Sequence, residues 1–131
     1  MAINKDGDSK VGESAENYLE TILILLERKG SVRAIDIAAE LDFSKPSVSI
    51  ALKHLREKGH IEVGEDGRLS LTESGRKIAE GIYERHRVLT DFFVSLGVDA
   101  DIAQADACKI EHIISDTTFQ AIKNKCRRSP R

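Results

Sequence analysis

The sequence predicts a mainly α protein. An N-terminal winged helix-turn-helix with a two-stranded wing is followed by a helical domain whose surplus apolar positions point to dimerisation. Three observations carry that expectation. A short apolar helix from Arg33, a tight turn and a helix that opens with Ser44-Lys45-Pro46-Ser47 and is ended by Gly59 succeed one another. Two alternating runs at residues 60–63 and 68–71 flank Gly64-Glu65-Asp66-Gly67 as a hairpin. Beyond them, apolar residues recur at helical spacing with no further strand signal.

The first helix is marked by Tyr18, Leu19, Ile22, Leu25 and Leu26, and Gly30 stops it. Ser14 is placed to cap it, with Asn17 supporting the first turn. Asn17 and Glu20 share a face, which a solvated polar side would also explain. A second helix over residues 33–41 buries Ile35, Ile37, Ala38 and Leu41, and Asp42-Phe43 turns the chain. Ser44 caps the third helix, with Pro46 in its first turn, where a missing N–H costs nothing. Val48, Ala51, Leu52 and Leu55 form its inner stripe. Ser47, Ser49, Ile50, Lys53, His54 and Arg56 face elsewhere.

Small side chains at that N-terminus let the backbone enter a DNA major groove, and its N–H groups favour phosphate. The same pattern also serves an ordinary three-helix core. Arg68, near the wing tip, suits a phosphate or the minor groove, or simple solvation.

Thr72-Glu73-Ser74-Gly75 opens a long helix with Ile78, Ile82, Leu89, Phe92, Phe93 and Leu96 on its apolar side, closed by Gly97. His86 lies mid-helix between Arg85 and Arg87, where a lone histidine is usually structural or exposed. Asp99 caps a further helix to about residue 115. Its Ile102, Ala103, Ala107, Ile110, Ile113 and Ile114 cover more than one helix face needs, which leaves some for another protomer. A last helix from Asp116 carries Phe119 and Ile122, and the basic end from Lys125 is expected to fray.

The chain's 131 residues are expected to divide into a mobile arm at 1–13, a winged-helix domain at 14–73 and a helical domain at 74–131. No apolar run approaches the roughly 20 residues that span a bilayer, and the polar first twelve residues lack a signal-peptide core. Two cysteines, Cys108 and Cys126, are too few for a disulfide framework and fit a reducing cytoplasm. Net charge is −2. Up to Thr72 there are ten basic and thirteen acidic residues, so any DNA binding must use local clusters and helix ends.

Cys108, Glu111 and His112 stand at i, i+3 and i+4. On a helix these share one face, so a thiolate, a carboxylate and an imidazole converge. That set suits a divalent transition metal, and the rest of an octahedral shell must come from other segments.

These residues resemble the diphtheria-toxin-repressor family of metal-dependent repressors, which includes iron-dependent repressors and manganese transport regulators. The marks are Glu16-Asn17-Tyr18-Leu19, Ser44-Lys45-Pro46-Ser47-Val48-Ser49, Leu71-Thr72-Glu73-Ser74-Gly75-Arg76, Arg85-His86-Arg87 and Asp106-Ala107-Cys108-Lys109-Ile110-Glu111-His112. The resemblance implies a metal site of Asn17, Glu20, His86, Cys108, Glu111 and His112. Cys108 is the iron-type choice, whereas manganese regulators carry a carboxylate there. Asn17 stands where iron repressors have methionine and manganese regulators aspartate. Thr90 and Gln104 stand where the iron branch's second site has a carboxylate and a histidine. A second metal sharing Glu20, His86 and Glu111 stays open. The implied DNA contacts are Ser44, Pro46, Ser47 and Ser49, with Ile50 in place of a polar base-reading residue. Arg33, Lys45, Lys53 and Arg68 complete the DNA-facing set. The chain ends where the larger iron repressors begin the linker to an SH3-like domain, so a short form is expected.

The expectation is a cytoplasmic homodimeric repressor, neither enzyme nor small-molecule binder, loaded with Fe(II) or else Mn(II). Zinc, cobalt or nickel would substitute in vitro. When loaded it would bind palindromic double-stranded operator DNA and repress metal-uptake genes. Three alternatives remain. One is a metal-independent winged-helix regulator with Cys108 as redox sensor. Another is a zinc hydrolase built on Cys-x-x-Glu-His, which lacks an additional candidate base or a Gly-rich loop. The third is a purely structural dimerisation module.

Overall fold

A computed structural model describes residues 12–128. Helix α1 (Glu13–Lys29) is followed by α2 (Ala34–Leu41), α3 (Lys45–Glu57), β1 (Ile61–Val63), β2 (Leu69–Leu71), α4 (Glu73–Ser95), α5 (Ala100–Ile110) and α6 (Asp116–Arg128). Two compact units form, one over residues 12–80 and one from Gly81 onward. The order of elements in the first unit is that of a winged helix-turn-helix.

In the first unit, α1 packs against α2, α3 and β2, and α3 also packs against α2 and β1. Leu19, Ile22, Val32, Ile37 and Val48 are at most 1% exposed. Burying a side chain of this size contributes roughly 1.5–3 kcal/mol, so each of the five is a substantial part of the unit's stability. Asp42 makes the turn of the helix-turn-helix with φ 58°, a left-handed conformation that aspartate tolerates better than most residues. Ser44 Oγ accepts from the Ser47 N–H at 3.2 Å, as its capping position predicts. At the start of α2, Asp36 accepts from the Arg33 N–H at 2.8 Å. The Lys29 ammonium, also hydrogen-bonded to Asp36, and that Arg33 N–H hold its carboxyl below the usual range.

The wing is antiparallel, with Ile61 opposite Leu71 and Val63 opposite Leu69. Gly75 lies against the His60 carbonyl, where any Cβ would collide with the oxygen. That approach lets α4 start directly beneath the wing's base, where Thr72 Oγ1 donates to the Gly59 carbonyl at 2.7 Å.

In the second unit, Ile82, Leu89, Ala103, Ala107 and Phe119 are buried. Asp99 Oδ2 caps α5 by accepting from the Asp101 N–H at 3.1 Å.

Several expectations need correction. The N-cap of α1 is Gly12, so Ser14 is already inside the helix. Ile35 is 56% exposed because residues two apart on a helix do not share a face with Ile37. Leu96 is 65% exposed, since it follows the last residue of α4 and leaves that helix's apolar side. Helix α5 ends at Ile110 and not near 115. There the N–H groups of Ile113 and Ile114 both turn back to the Ile110 carbonyl. Helix α6 runs on to Arg128, past the point where fraying was expected. Of the arm expected over residues 1–13, residues 1–11 lie outside the described residues, as do residues 129–131.

Candidate metal centre and nucleic-acid face

The end of α5 builds the chemically unusual part of the second unit. Glu111 is the C-cap residue, held by its N–H to the Ala107 carbonyl. Its side chain is fully buried. Oε1 lies 2.8 Å from His86 Nδ1 of α4. Oε2 lies 3.4 Å from His112 Nε2, yet has no hydrogen-bond partner among the described residues. A buried carboxylate oxygen without a hydrogen bond is costly unless a cation compensates it. Two imidazoles on one carboxylate form an N,O donor set suited to a divalent transition metal. The carbonyl end of α5 adds negative potential. The residues present therefore fit a metal ion.

Arg85 positions this turn and was read from sequence only as a neighbour of His86. Its guanidinium donates to the carbonyls of Glu111 at 3.2 Å and Ile114 at 2.8 Å. It also meets Asp116 at 3.6 Å and lies over the Phe119 ring, 5.3 Å from its centroid. Nothing in the spacing announced it, because both acceptors are backbone atoms 26 and 29 residues away.

The structure thus brings His86, Glu111 and His112 together. Cys108, one turn earlier on α5, is exposed, whereas Glu111 is fully buried and His112 half-buried. In the first unit, Glu20 is 6% exposed on α1, and Asn17 is half-buried on the same helix.

The expected DNA set lies at the surface. Ser44, Lys45, Pro46, Ser47, Ser49, Ile50 and Lys53 are all exposed. Arg33 and Arg68 are exposed too, but both engage the wing turn. Arg33 Nε donates to the Asp66 carbonyl at 3.0 Å, and Arg68 Nε lies 3.3 Å from Asp66 Oδ2. The Arg68 backbone N–H, together with the charges of Arg68 and Arg33, holds the Asp66 carboxyl below the usual range.

No described helix is long and apolar enough to cross a membrane. Residues 10–69 match the iron-dependent repressor N-terminal DNA-binding domain. Residues 72–129 match the iron-dependent repressor metal-binding and dimerisation domain. The transcriptional regulator MntR of Escherichia coli O157:H7 is 37% identical over 111 residues, covering 85% of this chain and 72% of that protein. The iron-dependent repressor IdeR of Mycobacterium bovis is 33% identical over 105 residues, covering 79% of this chain and 46% of its own. A solved manganese-dependent transcriptional repressor in complex with manganese superposes with a TM-score of 0.78 at 31% identity, over 85% of this chain and 51% of that one. The chain spans about half the length of that structure. With both halves matched in order, the chain belongs to the iron-dependent repressor family, whose members are metal-dependent transcriptional repressors and not enzymes.

Proposed function

We propose that this chain is a homodimeric, metal-loaded repressor that acts in the cytoplasm on palindromic operator DNA of metal-uptake genes. The observation that carries the reading is the fully buried Glu111, with one oxygen on His86 and the other lacking a hydrogen bond. Asn17 and Glu20 of α1, His86 of α4, Cys108 of α5, and Glu111 and His112 after it would hold the ion. The bound ion supplies positive charge and a fixed coordination geometry, with no chemistry turned over. Glu111 and His86 orient each other, and Arg85 fixes the backbone from which Glu111 projects.

Ligands drawn from α1 and from α4 and α5 make ion binding depend on one arrangement of the chain. Binding that arrangement better shifts the population toward it. Ser44, Lys45, Pro46, Ser47, Ser49, Ile50 and Lys53 would then meet the major groove, and Arg33 and Arg68 the adjoining backbone through the wing. Exposed Ile102 and Ile113 support a dimer contact in the second unit.

Fe(II) is the first choice of metal, because a thiolate at Cys108 is softer than the carboxylate of the manganese branch. Mn(II) is a second reading, supported by the 37% identity to MntR. Anaerobic equilibrium dialysis against Fe(II), Mn(II) and Zn(II) tests both readings. One or two irons per chain, with manganese weaker, supports the first. Manganese bound as tightly as iron favours the second. In either case Glu111→Ala should weaken binding by about a hundredfold or more, since even partners outside the ligand shell cost roughly ten- to a hundredfold. No tight binding of any of the three contradicts the proposal.

A further inference from the structure

Ile50 is 59% exposed on α3. It cannot be a displaced core residue, because Val48, Leu52 and Leu55 fill the buried stripe of that helix. Ile50 lies two residues from both Val48 and Leu52 and so projects to the opposite side. Pro46, Ser47 and Lys53 stand four and three residues away, on its own face, and all are exposed. Ser47 is short and Pro46 compact, so the branched side chain of Ile50 stands out beyond them. Lys53, one turn on, places a cation on the same exposed face.

An isoleucine side chain has no donor or acceptor. It therefore cannot read the hydrogen-bonding edges of guanine, cytosine or adenine. Within the major groove, one standard base-edge feature is apolar, the C5 methyl of thymine. Resting on the DNA-binding reading above, we infer that Ile50 determines specificity by packing on the C5 methyl of one thymine in each half-site. Short Ser47 leaves the space for that approach, and Lys53 fixes the register against the backbone. Sequence preference at this position comes from apolar contact alone.

The test uses the full chain in excess Mn(II). A duplex is first enriched from a random-sequence pool, and each thymine is then replaced singly by deoxyuridine, which removes only the methyl group. The wild-type protein is expected to lose about fourfold in affinity at one thymine per half-site, the factor one buried methyl contributes. Ile50→Ala should bind the thymine and uracil duplexes equally, and Ile50→Val should keep part of the preference. Two results overturn the inference while leaving DNA binding intact. One is a wild type indifferent to every uracil, and the other is the same uracil penalty in Ile50→Ala. Failure to enrich any duplex overturns the DNA-binding reading and this inference with it.

Discussion

Arg85 and Glu111 form one small device. Glu111 offers its carboxylate inward, and its carbonyl is held by the Arg85 guanidinium together with that of Ile114. Charged donors to backbone acceptors contribute more than neutral ones, roughly 1.5–3 kcal/mol each. Removing Arg85 leaves both carbonyls to find water at a part-buried site. Arg85→Met is therefore expected to lower stability by about 2–3 kcal/mol, read from the denaturation midpoint at unchanged slope. Arg85→Lys should recover only part: a single nitrogen, Nη1, serves both carbonyls, but an ammonium lacks the second nitrogen that meets Asp116 and the planar face over Phe119. An Arg85→Met variant as stable as wild type would show that the turn holds itself.

At the scale of elements, α3 was legible because its signals are local. A serine cap, an early proline and a stripe at helical spacing all lie within the helix, and each is seen at its residue. The wing was legible for the same reason, since two alternating runs and a glycine turn fix a hairpin. The end of α5 was not. Cys108, Glu111 and His112 have helical spacing, but spacing does not say where the helix stops. The stop comes from Ile113 and Ile114 turning back on Ile110 and from Arg85, a long-range partner. Spacing therefore grouped the three residues without showing that Glu111 and His112 lie past the last residue of α5. Ile35 was misassigned for a simpler reason, an apolar residue counted without its angle around α2.

Gly75 belongs to this scale as well. Alanine there would gain up to about 1 kcal/mol of helix propensity. Against this, its Cβ meets the His60 carbonyl oxygen, which also accepts the Thr72 N–H. A backbone atom cannot swing aside as a side-chain end can, so the overpacking cost of about 1–3 kcal/mol should outweigh that gain, leaving a net loss of roughly 1–2 kcal/mol. Gly75→Ala is thus expected to melt below wild type, and a variant melting higher would mean that the base of the wing gives way freely.

For the whole molecule, the two family matches cover the chain almost end to end, one for DNA and one for metal and dimerisation. The proposed coupling between the two functions has a thermodynamic signature independent of any structural route. If metal raises DNA affinity by some factor, DNA must raise metal affinity by that same factor. Allosteric couplings commonly fall between about fivefold and 150-fold.

The most direct test is operator affinity of wild type and Glu111→Ala, each measured with and without Fe(II) or Mn(II) at fixed ionic strength. The account predicts that metal tightens wild-type binding by about ten- to a hundredfold and leaves Glu111→Ala at its metal-free value. Wild-type affinity indifferent to both metals, or a full metal response retained in Glu111→Ala, would contradict it.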